Sequence, residues 1–323
     1  MMDTKHTGSF RYSNDIKGFK FLQSIAGLMV KWKALTMITG AVLMWSASYP
    51  LIKIALVDVP PILLGSLRHL IFIPMLTMIF LSQGKNAFVH SRKNWLVFIG
   101  IGIFSIALPQ IFQNIGMKYT TASVSSIIQS SGPVFTIALA VIFLGESLNI
   151  RKVSGAFIAL TGTVMLVTGG KFCFTGSTFY GNILLLLSAI SYSISGIITK
   201  RGLEKISPFT LLSFEIMIGF ILLIITSIFM ENVAVMTAFP LRTWIIILLL
   251  ALFPSFVASW FWYKVLISTE LSKLSIFIYL MPVFAVLFSY IMIQEVVDVY
   301  TLFFAALIIG GVAIAQKSGP AEI

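Results

Sequence analysis

Ten apolar runs, each long enough to cross a bilayer and joined by short links, dominate this 323-residue sequence. They span about 35–56, 60–82, 95–116, 121–144, 152–169, 179–199, 208–230, 243–266, 272–293 and 299–315. A helix needs about 20 apolar residues to cross the hydrocarbon core, where its backbone polar groups must satisfy one another. Only 10% of residues are charged and 58% are hydrophobic, against roughly a quarter charged in a soluble domain. The expected fold class is therefore all-α and integral to the membrane, with ten transmembrane helices. No link is long enough to form a soluble catalytic or binding domain, which places the activity within the bilayer.

A net charge of +11 would suggest nucleic acid in a soluble protein. Here the basic residues sort by side instead. With the amino terminus in the cytoplasm, Lys31, Lys33, Lys85, Arg92, Lys93, Arg151, Lys152, Lys200, Arg201, Lys205, Lys264, Lys273 and Lys317 fall on the cytoplasmic side, and Lys53, Lys118, Lys171 and Arg242 fall outside. This asymmetry predicts a multi-pass protein of the cell membrane with both termini cytoplasmic. Residues 1–34 read as a basic, disordered cytoplasmic tail ending in a short interfacial helix, and 317–323 as a second tail. No small-residue cleavage site precedes Lys31, which argues against a signal peptide. The single cysteine, Cys173, has no partner for a disulfide and reads as a small apolar residue.

The two halves of the chain repeat. A shift of +149 pairs Trp95 with Trp244, Phe104 with Phe253, Ser126 with Ser275, Pro133 with Pro282, Glu146 with Glu295 and Gly162 with Gly311. Before Trp95 the shift is +147, pairing Ser46 with Ser193, Lys53 with Lys200, Pro61 with Pro208 and Ser66 with Ser213. Apolar matches carry little weight in such a chain, so the Trp, Pro, Lys and Glu matches decide. The units are 35–169 and 179–316. Each holds five helices, an odd number, so the second enters the membrane from the opposite side. Inverted repeats of this kind are typical of secondary transporters.

These residues resemble the drug/metabolite transporter superfamily, specifically its EamA-like ten-helix permeases, over about residues 35–316. The resemblance rests on residues 45–53 (WSASYPLIK), on Arg68 and on residues 119–146. The second copy departs from the pattern at Tyr192, where many relatives have Trp, and at Ile293-Gln294-Glu295, where they often have Leu-Gly-Glu. The resemblance implies a substrate path between helices one to four and six to nine, with the fifth and tenth peripheral. Small-residue faces of Gly155, Ala159 and Thr163 in the fifth helix, and of Ala306 and Gly310 in the tenth, suit that division.

Ionisable groups within a membrane usually face a cavity or a partner. Arg68 and Glu215 are equivalent at +147. In the functional reading, Arg68 attracts an anionic group while Glu215 binds an amine or a coupling proton. In the competing one, either charge snorkels to the interface or the two pair structurally. Gln110, Gln113 and Asn114 share one helix face, and Ser126, Gln129 and Ser130 another; both suit a polar solute or bonding between helices. Trp262 and Tyr279 belong to an aromatic wall that suits a planar or cationic solute, although Trp260 to Tyr263 also read as interfacial anchors. Pro133 and Pro282 should kink their helices, as hinges or as structural bends. Glu146 and Glu295 read as caps or loop residues. His69 projects about 100° from Arg68 and so should not share its site.

The expected function is gradient-driven secondary transport of small polar metabolites, amino acids or derivatives, by alternating access. Efflux of drugs, apolar cations or lipid-linked sugars is the alternative, ahead of a membrane scaffold or an intramembrane enzyme. No HExxH, aspartate-rich or Walker A motif is present, so neither a cofactor nor a metal is expected. The partners expected are a small-molecule solute, the lipid bilayer and a coupling proton or ion, with a homodimer left open and nucleic acid not expected.

Overall fold

The computed structural model describes residues 9–70, 94–144, 150–168, 170, 176–269, 274, 277–278 and 280–316. Among the described residues the main helices are, in order, α1 (Ser9–Ala55), α2 (Pro61–Leu70), α3 (Trp95–Tyr119), α4 (Ala122–Gln129 and Gly132–Leu144), α5 (Ile150–Val167), α6 (Ser177–Leu203), α7 (Pro208–Met230), α8 (Leu241–Leu266), α9 (Leu280–Ile293) and α10 (Val299–Gln316). Six described segments are long and apolar enough to cross a membrane: Trp32–Ala55, Trp95–Tyr119, Ala122–Phe143, Ser177–Leu203, Pro208–Met230 and Leu241–Leu266. The remainder of the second run, 71–82, lies outside the described residues. The tail expected to be disordered is instead helical from Ser9, and continuous with the first span.

The sequence sets several helix ends and irregularities. Thr121 caps α4 by accepting from Val124 N, and Ser207 caps α7 by accepting from Thr210 N, with Pro208 at the first helical position. Helix α4 breaks at Ser130 and Ser131, just ahead of Gly132-Pro133. Pro133 has no N–H to return to the Gln129 carbonyl. Within α3 and α8 the chain widens into π-helical turns at Gly102–Ala107 and Ala251–Val257, at matching places in the +149 register.

The two halves interlock with their roles exchanged. Helix α1 packs on α8 and α9, as α6 packs on α3 and α4; α2 meets α8, as α7 meets α3. The lysines paired in the sequence perform equivalent tasks. Lys53 Nζ donates to the Met117 and Thr120 carbonyls at the end of α3, at 2.5 and 2.6 Å. Lys200 Nζ donates to the Leu266 and Thr269 carbonyls at the end of α8, at 3.1 and 3.0 Å.

Helices α5 and α10 pack on each other. A Cβ on Gly155 would lie 2.4 Å from Ala315 N and Gly311 O, so these backbones can approach only because that side chain is missing. The expected face of α5 is the one used, with Ala159 and Thr163 buried. That of α10 is corrected: Ala306 and Gly310 are exposed, and the contact is made by Gly311 and Ala315, one position around the helix. Apolar residues exposed elsewhere, such as Phe157 and Phe229, present the outer surface that lipid requires.

Candidate functional site

A cavity of about 230 Å³ lies where the halves meet. Its walls come from α1 to α4 and α6 to α9, and α5 and α10 contribute no side chain to them. Trp45, Ser48, Tyr49, Arg68, Ser105, Gln110, Gln113, Gln129, Tyr192, Ser193, Thr199, Glu215, Ser255, Trp262 and Tyr263 supply its aromatic and polar lining.

Arg68 and Glu215 occupy symmetry-related helices and are bound in related ways. Arg68 on α2 is 4% exposed; its Nε donates to Ser255 Oγ on α8 at 3.2 Å and its Nη1 to Gln110 Oε1 on α3 at 3.1 Å. Glu215 on α7 is 5% exposed; it accepts from Ser105 Oγ on α3 and from the Tyr263 hydroxyl on α8. Neither snorkels to an interface. No ion pair joins them among the described residues, so each charge is held by neutral groups. Tyr49 and Tyr192 are electrostatic neighbours of the guanidinium.

Trp45 and Trp262 form an aromatic wall, with ring centroids 5.5 Å apart and planes at 58°. Trp45 Nε1 donates to the Pro254 carbonyl at 2.9 Å, inside the π-helical turn of α8. Of the residues read as possible interfacial anchors, Tyr263 is buried and Trp262 faces the cavity. Trp260 packs edge-on to Phe209 with Lys264 Nζ 4.7 Å from its ring.

The amide and hydroxyl candidates divide. Gln110, Gln113 and Gln129 line the cavity, and Gln129 Nε2 also donates to Ser188 Oγ at 2.8 Å. Asn114 lies outside the wall, its Nδ2 donating to the Pro61 carbonyl at 2.9 Å and tying α3 to α2. Ser126 and Ser130 are also outside it, bonded to the Ser123 and Ile127 carbonyls of their own helix. Pro133 reaches the wall; Pro282 is buried beside it, next to the lining residue Met281. Tyr279 lies outside the described residues. His69, expected to point away from the Arg68 site, also reaches its wall, with Nδ1 2.8 Å from the Gly65 carbonyl.

Sequence reasoning missed Tyr49, Ser105, Ser193 and Ser255 as lining residues. Pro254 was an available signal, since an apolar helix carrying a proline at that position must depart from α geometry there. The Ser46 and Ser193 match was another.

The sequence profile of the EamA-like transporter family matches residues 32–168 and again 179–315. Among curated relatives, an uncharacterized transporter of Archaeoglobus fulgidus is 29% identical over 271 residues, covering 84% of this chain and 92% of its own length. A second from the same organism is 28% identical over 289 residues, covering 90% and 99%. The uncharacterized transporter YvbV of Bacillus subtilis is 24% identical, covering 90% and 94%. A solved crystal structure of a protein superimposes with a TM-score of 0.64 at 20% identity, covering 88% of this chain and 96% of that one, and so shares the fold. With its profile matched once in each half of a ten-helix inverted repeat, the chain belongs to the EamA-like transporter family and is a multi-pass membrane transporter of that type.

Proposed function

We propose that the chain is a secondary transporter of small polar metabolites, amino acids or their derivatives, driven by a gradient and working by alternating access. The supporting observation is a buried guanidinium and a buried carboxylate facing one cavity without pairing. Arg68 is held by Ser255 and Gln110, both neutral, which leaves its charge for a carboxylate on the solute. Glu215 is held by two hydroxyls, which leaves its charge for an amine or for a coupling proton. A volume of about 230 Å³ is below the roughly 300–1,000 Å³ of drug-sized pockets. It suits a compact solute.

The basic residues support a cell-membrane orientation with both termini cytoplasmic. One observation favours efflux of an organic cation instead: Trp45 and Trp262 line the same cavity as Glu215. Reconstitution into liposomes with a mixed metabolite pool, followed by mass spectrometry of what crosses with and without a pH gradient, tests both. Gradient-dependent movement of a few zwitterions is expected; protein-dependent flux restricted to apolar cations would transfer the assignment to efflux.

A further inference from the structure

We infer that α2 and α4 form a gate at the face where α1 ends, latched shut by carboxylates from the opposite half, and that this face is the more firmly locked of the two. The inference rests on the alternating-access reading. Glu231, at the end of α7, accepts Ile62 N on Oε1 at 2.9 Å and Leu63 N on Oε2 at 2.7 Å, at the start of α2. Glu295, just beyond α9, accepts Ser123 N on Oε1 at 2.8 Å and Ala122 N on Oε2 at 3.0 Å, at the start of α4. Thr243 Oγ1 on α8 donates to Asp58 Oδ2 beyond α1 at 2.5 Å. All three latches join first half to second, and all lie at one face.

A carboxylate spread over two first-turn amides satisfies donors that the helix itself leaves free, and its charge suits the positive end of the helix dipole. The start of α4 is also gripped from behind, since Lys53 holds the end of α3 only two residues before it. Gln294 contributes the aim of Glu295. It adopts a left-handed conformation, φ 55°, which ends α9 and turns the next residue toward α4. A residue other than glycine disfavours that conformation, so the turn is held against a local preference.

The opposite end lacks two of these groups in sequence. At +147, Asp58 corresponds to Lys205 and Glu231 to Gly84. The cavity also lies nearer that opposite face. Thr199 and Tyr263 are within about one turn of the ends of α6 and α8, whereas Arg68 and Gln129 are about two turns into α2 and α4.

The test uses the full chain in lipid nanodiscs, with Cys173→Ser and spin labels at Val124→Cys in the first turn of α4 and Val296→Cys beyond α9, a half-buried and an exposed position at the latched face, one in each half. Glu231→Gln with Glu295→Gln should enlarge a longer-distance population by at least about tenfold, since each substitution removes a charge and at least one hydrogen bond to it. If the double variant loses its monodisperse fold, Thr243→Ala, which removes only the partner of Asp58, is read in the same way. An unchanged distance distribution overturns the gate. The readout needs no solute: fixed distances in a protein that transports would sink the gate alone, and responsive distances in one that carries no metabolite would sink the transport reading alone.

Discussion

Ser46 and Ser193 each share one hydroxyl proton between an equivalent pair of carbonyls in opposite halves of the molecule. Ser46 Oγ lies 2.7 Å from the Val42 carbonyl of its own helix and 3.1 Å from that of Met281 on α9. Ser193 Oγ lies 2.9 Å from the Ala189 carbonyl and 2.8 Å from that of Gly132 on α4. Met281 and Gly132 each precede one of the two repeated prolines. The matched serines and matched prolines are therefore one device, fastening the proline-bearing helix of one half to the first helix of the other.

If the device is symmetric in energy as in geometry, Ser46→Ala and Ser193→Ala should destabilise the protein by similar amounts. Hydrogen bonds between membrane helices average about 0.6 kcal/mol and reach about 1.7. Thermal unfolding of the purified single variants measures this, and a large effect from only one would show that the halves share the load unequally.

The seam between α5 and α10 should tolerate no side chain at Gly155. Gly155→Leu places atoms inside the Gly311 and Ala315 backbone and should cost at least about 1–3 kcal/mol, the range for overpacking. Gly310→Leu is the control, because nothing lies within 4 Å of a Cβ there. The contrast is read as yield of monodisperse protein and as melting temperature.

Replacing Arg68 with Lys keeps the charge but loses the fork that reaches Ser255 and Gln110 together. Affinity for a carboxylate-bearing solute should fall about tenfold to a hundredfold, as for loss of a charged hydrogen bond. Titration calorimetry on Arg68→Lys with a solute found by the liposome assay checks it. Equal affinity would remove Arg68 from the binding role.

For Glu215, the discriminating measurement is pH dependence rather than rate. Glu215→Gln keeps the shape and an acceptor for Ser105 or Tyr263 but cannot cycle a proton. Accumulation driven by a pH gradient should be lost, because the coupling proton has no site, while solute exchange at equal pH continues. Accumulation and pH profile both unchanged would end the coupling role.

Gln294 is a place where the protein should be easy to improve. Gln294→Gly relieves a left-handed side chain and should stabilise by up to about 1 kcal/mol, measurable as a higher melting temperature. The +149 partner of Gln294 in the sequence is already a glycine, Gly145. A lower melting temperature would show that the glutamine side chain contributes more than its backbone costs.

The inverted ten-helix frame was legible in the sequence because hydrophobic length and a two-offset register suffice to define it. Arg68 and Glu215 were legible for the same reason, being rare charges at matched positions. What the register could not show was direction. Asn114 shares a helix face with Gln110 and Gln113 by spacing, yet its Nδ2 turns to the Pro61 carbonyl and ties α3 to the start of α2, a contact between helices that spacing along one helix does not show. Ser126 and Ser130 look like cavity hydroxyls but satisfy themselves on the preceding turn, as serines in apolar helices do. Glu295 reads from the sequence as a cap or loop residue of its own helix, whereas it accepts the first amides of a helix in the other half, a pairing that only tertiary structure supplies.

The π-helical turns of α3 and α8 bear on that question of direction. Each holds one residue more than an α-helical turn, so everything beyond it is rotated by about 100° from where an unbroken helix would put it. A helical wheel started at Trp95 thus misplaces every residue after Ala107, and one started at Leu241 misplaces those after Val257. The amide wall of Gln110 and Gln113 and the aromatic wall of Trp262 and Tyr263 each owe their inward aim to a single surplus residue. Deleting one position from Gly102–Ala107 would scarcely alter length, hydropathy or family match, and would swing the amides away from the cavity. In this architecture, the count of residues in one wide turn selects which chemistry the solute meets.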